Sequence, residues 1–196
     1  MELITAEICR KLSRQHITAT PLLSGKVLVV GGRAHLGITL DNTSAIYDPE
    51  QRVFIDSGIV VCERFTHAAI RMRNGNVLIA GGINAHGVPI ASCEIYDHIT
   101  GTFSACAALS YARCFGKMSL RFKGKPVITG GDRVCHRSKH QYEVYDLKSN
   151  TWLPISHYEK ETPPAQILCR CCGSKNTWIY GTSKKNYICM PCRGLI

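Results

Sequence analysis

The chain has 196 residues, with 24 Lys and Arg against 14 Asp and Glu, for a formal net charge of +10. No stretch approaches the ~20 consecutive apolar residues that a membrane helix needs, and the opening Met-Glu-Leu-Ile is not a basic-then-apolar signal segment. A reducing cytoplasm, or alternatively the nucleus, is therefore expected. The basic balance permits contact with nucleic acid or acidic partners without choosing between them.

In chain order, residues 1–13 come first and carry two readings. Ile4 precedes Arg14 by ten residues, as Phe54 and Phe103 precede Arg64 and Arg113, which suits an orphan outer strand. Ile4, Ile8 and Leu12 at four-residue spacing also suit a short amphipathic helix.

Three similar units follow, at approximately 14–63, 64–112 and 113–156. Each holds an apolar run (Val27 to Val30, Val77 to Ala80, Val127 to Thr129) closed by a glycine pair, Gly31-Gly32, Gly81-Gly82 or Gly130-Gly131. A Tyr-Asp pair follows at 47–48, 96–97 and 145–146, and then Phe54, Phe103 or Trp152. These last two markers recur every 49 residues, so the chain is read as a repeat array. Arg14, Arg64 and Arg113 open the units.

Within the middle unit, His67 to Arg71, Val77 to Ala80, Cys93 to Tyr96 and Thr102 onward predict four antiparallel strands. Asn74-Gly75-Asn76 predicts a two-residue hairpin turn with positive backbone angles. His98 to Gly101 predicts the next turn. The glycine pair suits a bend or a close backbone approach. Four such strands in one unit make one blade of a propeller.

Strand, Gly-Gly, variable loop, Tyr-Asp, short turn and aromatic together resemble the kelch repeat, from Arg14 to Ser156. The resemblance implies that the glycines let neighbouring blades approach and that Tyr47, Tyr96, Tyr145, Phe54, Phe103 and Trp152 fill the space between them. Phenylalanine at two of the three aromatic positions gives up the indole N–H but keeps the packing role. Propellers typically close with four to eight blades. Three blades make an open fan with two exposed edges and two uncovered faces, to be capped by the C-terminal segment, completed by self-association, or left as the remnant of a longer protein.

After a polar, stiff connector at 157–168 that contains Pro163-Pro164, residues 169–196 form a second element. Cys169-x2-Cys172, sixteen residues and Cys189-x2-Cys192 fit a four-cysteine zinc pattern. So short a segment has too small a core to fold without a staple, and a structural Zn2+ supplies one. Thr177 to Tyr180 and Lys185 to Ile188 predict a hairpin between the pairs, and the segment resembles a zinc ribbon. Cys171 reads as a spare thiol. The other six cysteines, Cys93 among them, show no paired spacing and read as small buried apolar residues.

The expected architecture is thus all-β, with three four-stranded antiparallel kelch-type blades in residues 1–156 and a zinc ribbon at 169–196. No Ser-His-Asp, Cys-His or paired-carboxylate arrangement stands out, so catalysis is not expected. The loops after the glycine pairs, Arg33 to Asn42, Ile83 to Ile90 and Asp132 to Gln141, each carry histidine. The third, with Arg133, His136, Arg137, Lys139 and His140, is the candidate contact for an acidic protein partner. The alternative is a nucleic-acid-associated factor whose ribbon reaches phosphates through Lys175, Lys184, Lys185 and Arg193.

Overall fold

The computed structural model describes residues 14–34, 43–131, 142–159, 179–180 and 188–189. Residues 1–13, with their strand-or-helix alternative, lie outside the described residues. So do His35, the basic loop from Arg133 to His140, and Cys169, Cys171, Cys172 and Cys192. The chain divides into two compact units, Met1–Ile155 and Ser156–Ile196.

The first unit is built from three four-stranded antiparallel sheets. Sheet 1 contains β2 (Thr18–Pro21), β3 (Val27–Val30), β5 (Thr43–Asp48) and β6 (Val53–Ile59). A short ladder of β1 (Arg14–Gln15) with β4 (Arg33–Ala34) stands beside it. Sheet 2 contains β7 (Ala68–Arg71), β8 (Val77–Ala80), β9 (Cys93–Tyr96) and β10 (Phe103–Cys106). Sheet 3 contains β11 (Lys117–Arg121), β12 (Lys125–Thr129), β13 (Glu143–Asp146) and β14 (Thr151–Pro154). Each sheet pairs its strands in chain order, and the first strands β2, β7 and β11 are neighbours. The sheets therefore meet along their first strands and carry their fourth strands outermost.

The second strands explain the apolar runs. In β3 and β8 every residue is buried, because these strands are covered on both faces and have no solvent side to alternate toward. Leu28 and Val30 face sheet 2, where Val77, Ile79 and Tyr96 meet them. Leu78 and Ala80 face sheet 3, where Ile128, Tyr145 and Trp152 meet them. In sheet 2, β8 thus faces both neighbouring sheets, one from each side.

The recurring aromatics behave alike. Tyr47–Phe54, Tyr96–Phe103 and Tyr145–Trp152 are directly opposite pairs across the third and fourth strands. Their ring centroids lie 4.9, 4.9 and 5.1 Å apart with tilts of 42°, 53° and 49°. Trp152 adds a bond its phenylalanine counterparts lack, from Nε1 to the carbonyl of Ala107, just past the end of β10, at 2.9 Å. Trp152→Phe is expected to cost about 1–2 kcal/mol, the worth of one hydrogen bond and part of a buried ring, measured by urea denaturation.

One expectation is corrected. The turn at Asn74-Gly75 spans three residues rather than two, because the Met72 N–H donates to the Asn76 carbonyl at 2.8 Å and the Gly75 N–H donates to the Met72 carbonyl at 3.1 Å. Only Gly75 has a positive φ, +92°, the pattern of a hairpin turn followed by a glycine bulge. Val27, Val29 and Tyr47 of sheet 1 and Val127 and Val144 of sheet 3 are all buried.

The described part of the second unit is a single helical turn, α1 (Ser156–Glu159), and a pair of short strands, β15 (Ile179–Tyr180) and β16 (Ile188–Cys189). The helical turn occupies the start of the expected connector. The strands pair antiparallel with Ile179 opposite Cys189 and Tyr180 opposite Ile188.

Candidate functional site

Antiparallel strands in chain order put the glycine-pair loops and the unit-opening arginine segments at one end of the sheets. The tight hairpin turns lie at the other end. The loop-bearing end is held by polar groups that the repeat markers only partly disclose.

Arg64 and Arg113 sit at this end and are buried to 0% and 1% exposure. Arg64 Nη2 meets Glu94 Oε1 at 2.6 Å, while Nη1 donates to the carbonyls of Gly81 and Ser92, each at 2.8 Å. The remaining carboxylate capacity of Glu94 accepts the backbone N–H groups of Val61 and Cys62 at 2.8 and 3.0 Å. Arg113 repeats the arrangement, with Nη2 to Glu143 Oε1 at 2.8 Å, Nη1 to the Gly130 carbonyl at 3.0 Å, and the Ser110 N–H on Glu143 Oε2 at 2.7 Å. Each buried charge is therefore paired and further hydrogen-bonded, the condition under which such a pair is tolerated. Glu94 and Glu143, two residues before their Tyr-Asp pairs, were missed from the sequence. The signal was a Glu-x-Tyr-Asp string in two units, obscured by Ala45 at that position in the first.

The glycine pairs join one sheet to the next. The Gly32 N–H donates to the Arg64 carbonyl at 3.1 Å and the Gly82 N–H to the Arg113 carbonyl at 2.6 Å. A Cβ on Gly31 or Gly81 would overlap those same carbonyl oxygens. At Gly130 no described atom lies within 4 Å of that position.

A second backbone chain runs beside this one. The Thr66 N–H donates to the His16 carbonyl at 3.2 Å, and the Phe115 N–H donates to the Thr66 carbonyl at 2.8 Å. His16, Thr66 and Phe115 each stand two residues after their unit's arginine, with φ of +59°, +55° and +57°. Left-handed backbone at a β-branched threonine is strained. Its recurrence in three units marks it as the price of joining the sheets.

His67 lies among these joints. Its Nε2 is 2.7 Å from Thr18 Oγ1 of sheet 1. Burial, with the Arg64 charge adding, pushes its pKa down to about 3. The unfolded chain takes up that proton near pH ~6.5, so the folded state is favoured above this value and loses stability as pH falls from there toward about 3. Urea titrations should show a loss of up to about 1.4 kcal/mol per pH unit between pH ~6 and ~4 from this group. His67→Gln should lack that slope.

Around these joints the end presents exposed side chains. His16 packs its ring on Phe65 and Phe115 at 6.3 and 6.0 Å between centroids. His16, Arg33 and Phe115 are exposed and Phe65 is half-buried. The loop from Ile83 to Ile90 is anchored to Phe65 by reciprocal backbone bonds of 3.1 and 2.9 Å. Asn84 Oδ1 accepts the N–H groups of His86 and Val88, each at 3.0 Å, so the tip is shaped by one side chain. His86 and Val88 point to solvent. Of the loop histidines named from the sequence, His86 is the one placed here. Among the described residues no group of three or more His, Cys, Asp or Glu could hold a metal ion, and no helix is long and apolar enough to cross a membrane.

No family model matches the chain. An F-box/kelch-repeat protein of Arabidopsis thaliana is 25% identical to it over 134 residues, covering 67% of this chain and 35% of that protein. The chain thus spans about a third of that relative's length.

Proposed function

We propose that the three sheets are kelch-type blades of a partial propeller, and that the chain is a non-catalytic module binding a protein partner through its loop-bearing end. The observation that carries this is the gathering of His16, Arg33, His86, Val88 and Phe115 at the end where buried Arg–Glu pairs and glycine joints fix the backbone. Rigid sheets holding exposed loops are a common platform for recognition, and the similarity to a kelch-repeat protein supports the same reading. The candidate contact for an acidic partner remains the basic loop with Arg133, His136, Arg137, Lys139 and His140, which lies outside the described residues. The test is affinity capture with the full chain, its Val88→Asp variant and Ile99→Asp, which changes an exposed residue at the opposite end. A partner lost with Val88→Asp and kept with Ile99→Asp supports the proposal. Equal retention by both variants overturns it.

The C-terminal residues extend the proposal to a structural zinc held by Cys169, Cys172, Cys189 and Cys192. Four thiolates in two Cys-x-x-Cys turns suit tetrahedral Zn2+, and the antiparallel pairing of Ile179–Tyr180 with Ile188–Cys189 supports a hairpin between the turns. The metal would supply folding energy to a segment too short to hold itself together. Metal analysis should find about one equivalent of zinc in the parent and none in a Cys189→Ser, Cys192→Ser double variant. Metal-free parent protein, purified without chelator, would end this part of the reading.

A further inference from the structure

Cys93 and Cys106 lie on adjacent strands of sheet 2, directly opposite each other in the β9–β10 register. Both are free thiols, Cys93 buried and Cys106 half-buried. Directly opposite residues in an antiparallel pair have Cα atoms about 4.5–5.5 Å apart, inside the ~4.4–6.8 Å window for a disulfide. Both pack in the apolar cluster that Tyr145 of sheet 3 also joins. The sequence spacing gave no hint of this, because twelve residues, a turn among them, separate the two positions.

We propose that Cys93 and Cys106 form a reversible redox latch, oxidised by a hydroperoxide to a cross-strand disulfide that fastens the outermost strand of sheet 2 to its neighbour. Cys106 is the attacking sulfur. It is the more accessible of the two, and its pKa is lowered, chiefly by the adjacent Cys93 thiol. The adjacent Cys106 sulfur and burial raise the pKa of Cys93 and keep it protonated. The Cys106 thiolate attacks one peroxide oxygen, giving a sulfenic acid and hydroxide, which takes up the proton Cys106 released and leaves as water. The Cys93 sulfur then attacks the Cys106 sulfur. The S–S bond forms, the S–O bond breaks, and the departing hydroxyl leaves as water with the Cys93 proton. Two thiols and one hydrogen peroxide give one disulfide and two waters.

The latch is independent of what the loop-bearing end binds. It closes across β9 and β10 inside the apolar cluster that sheet 2 shares with Tyr145 and Trp152 of sheet 3, so its effect falls on the joint between sheets 2 and 3. The disulfide should slow amide exchange in β10 by about tenfold or more, because the outermost strand can no longer peel away singly.

The test uses the full chain, reduced and then treated with graded hydrogen peroxide, blocked with N-ethylmaleimide and digested with trypsin. Residues 74–113 are released as one peptide whose cysteines are Cys93 and Cys106 alone. That peptide should lose two hydrogens and both maleimide labels together, and dithiothreitol should restore both. In Cys93→Ala the oxidised Cys106 should instead be captured by dimedone as a sulfenic acid. The parent measurement needs no variant and stands even if Cys93→Ala folds poorly. Oxidation of Cys106 to sulfinic acid while Cys93 stays labelled overturns the proposal, as does linkage of either cysteine to a different one.

Discussion

Glu94→Ala is expected to cost about 3–5 kcal/mol, because it leaves the wholly buried Arg64 guanidinium without its carboxylate. The same substitution strips the Val61 and Cys62 N–H groups of their acceptor. Against a total stability of about 5–15 kcal/mol for a domain, this is enough to leave much of the protein unfolded at physiological temperature. Glu94→Gln keeps an oxygen in reach and should cost less. Glu143→Ala should cost at least as much as Glu94→Ala, since buried Arg113 places two donors, Nε and Nη2, on Glu143 Oε1. Replacing both partners by apolar residues should not restore stability, because Arg64 also satisfies the Gly81 and Ser92 carbonyls. Chemical denaturation of the four variants measures the set, and a cost below about 1 kcal/mol for Glu94→Ala would contradict the pairing.

The second large effect is expected at Gly81. Its φ is +67° and that of Gly130 is +62°, so alanine at either position pays the same left-handed penalty of about 1–2 kcal/mol. At Gly81 the new methyl also overlaps the Arg113 carbonyl, and the adjacent Gly82 N–H bond to that oxygen must move with it. Gly81→Ala should therefore cost roughly 3 kcal/mol or more in total, the excess being the strain of overpacking a close backbone approach. Gly130→Ala should cost only the left-handed penalty. The difference between the two variants isolates the joint between sheets 2 and 3, and equal losses would argue against it.

The three sheets were legible because their markers are local. A short apolar run, a glycine pair and an aromatic a few residues past Tyr-Asp are fixed by strand length and turn chemistry within one unit. The Asp of each pair illustrates this. Asp48, Asp97 and Asp146 each accept backbone N–H bonds from the turn that follows, and such bonds hold the Asp48 and Asp97 carboxyls below the usual range. What joins sheet to sheet was less legible. Arg64 and Glu94 are thirty residues apart and become partners only once the strands are in register. Cys93 and Cys106 meet for the same reason. The three-residue turn at Gly75 was misread because Asn-Gly fits two hairpin geometries, and the flanking strand register selects between them. The basic loop and three of the four cysteines proposed to hold zinc lie outside the described residues.

Because every sheet is fastened to its successor by the same glycine-to-arginine carbonyl bond, cohesion here is a series of alike links. Pulled from its two ends, such a chain should yield in discrete steps rather than all at once. Each step would release one repeat of 49 residues, or roughly 170 Å of extended chain, a sawtooth that an optical trap could count link by link.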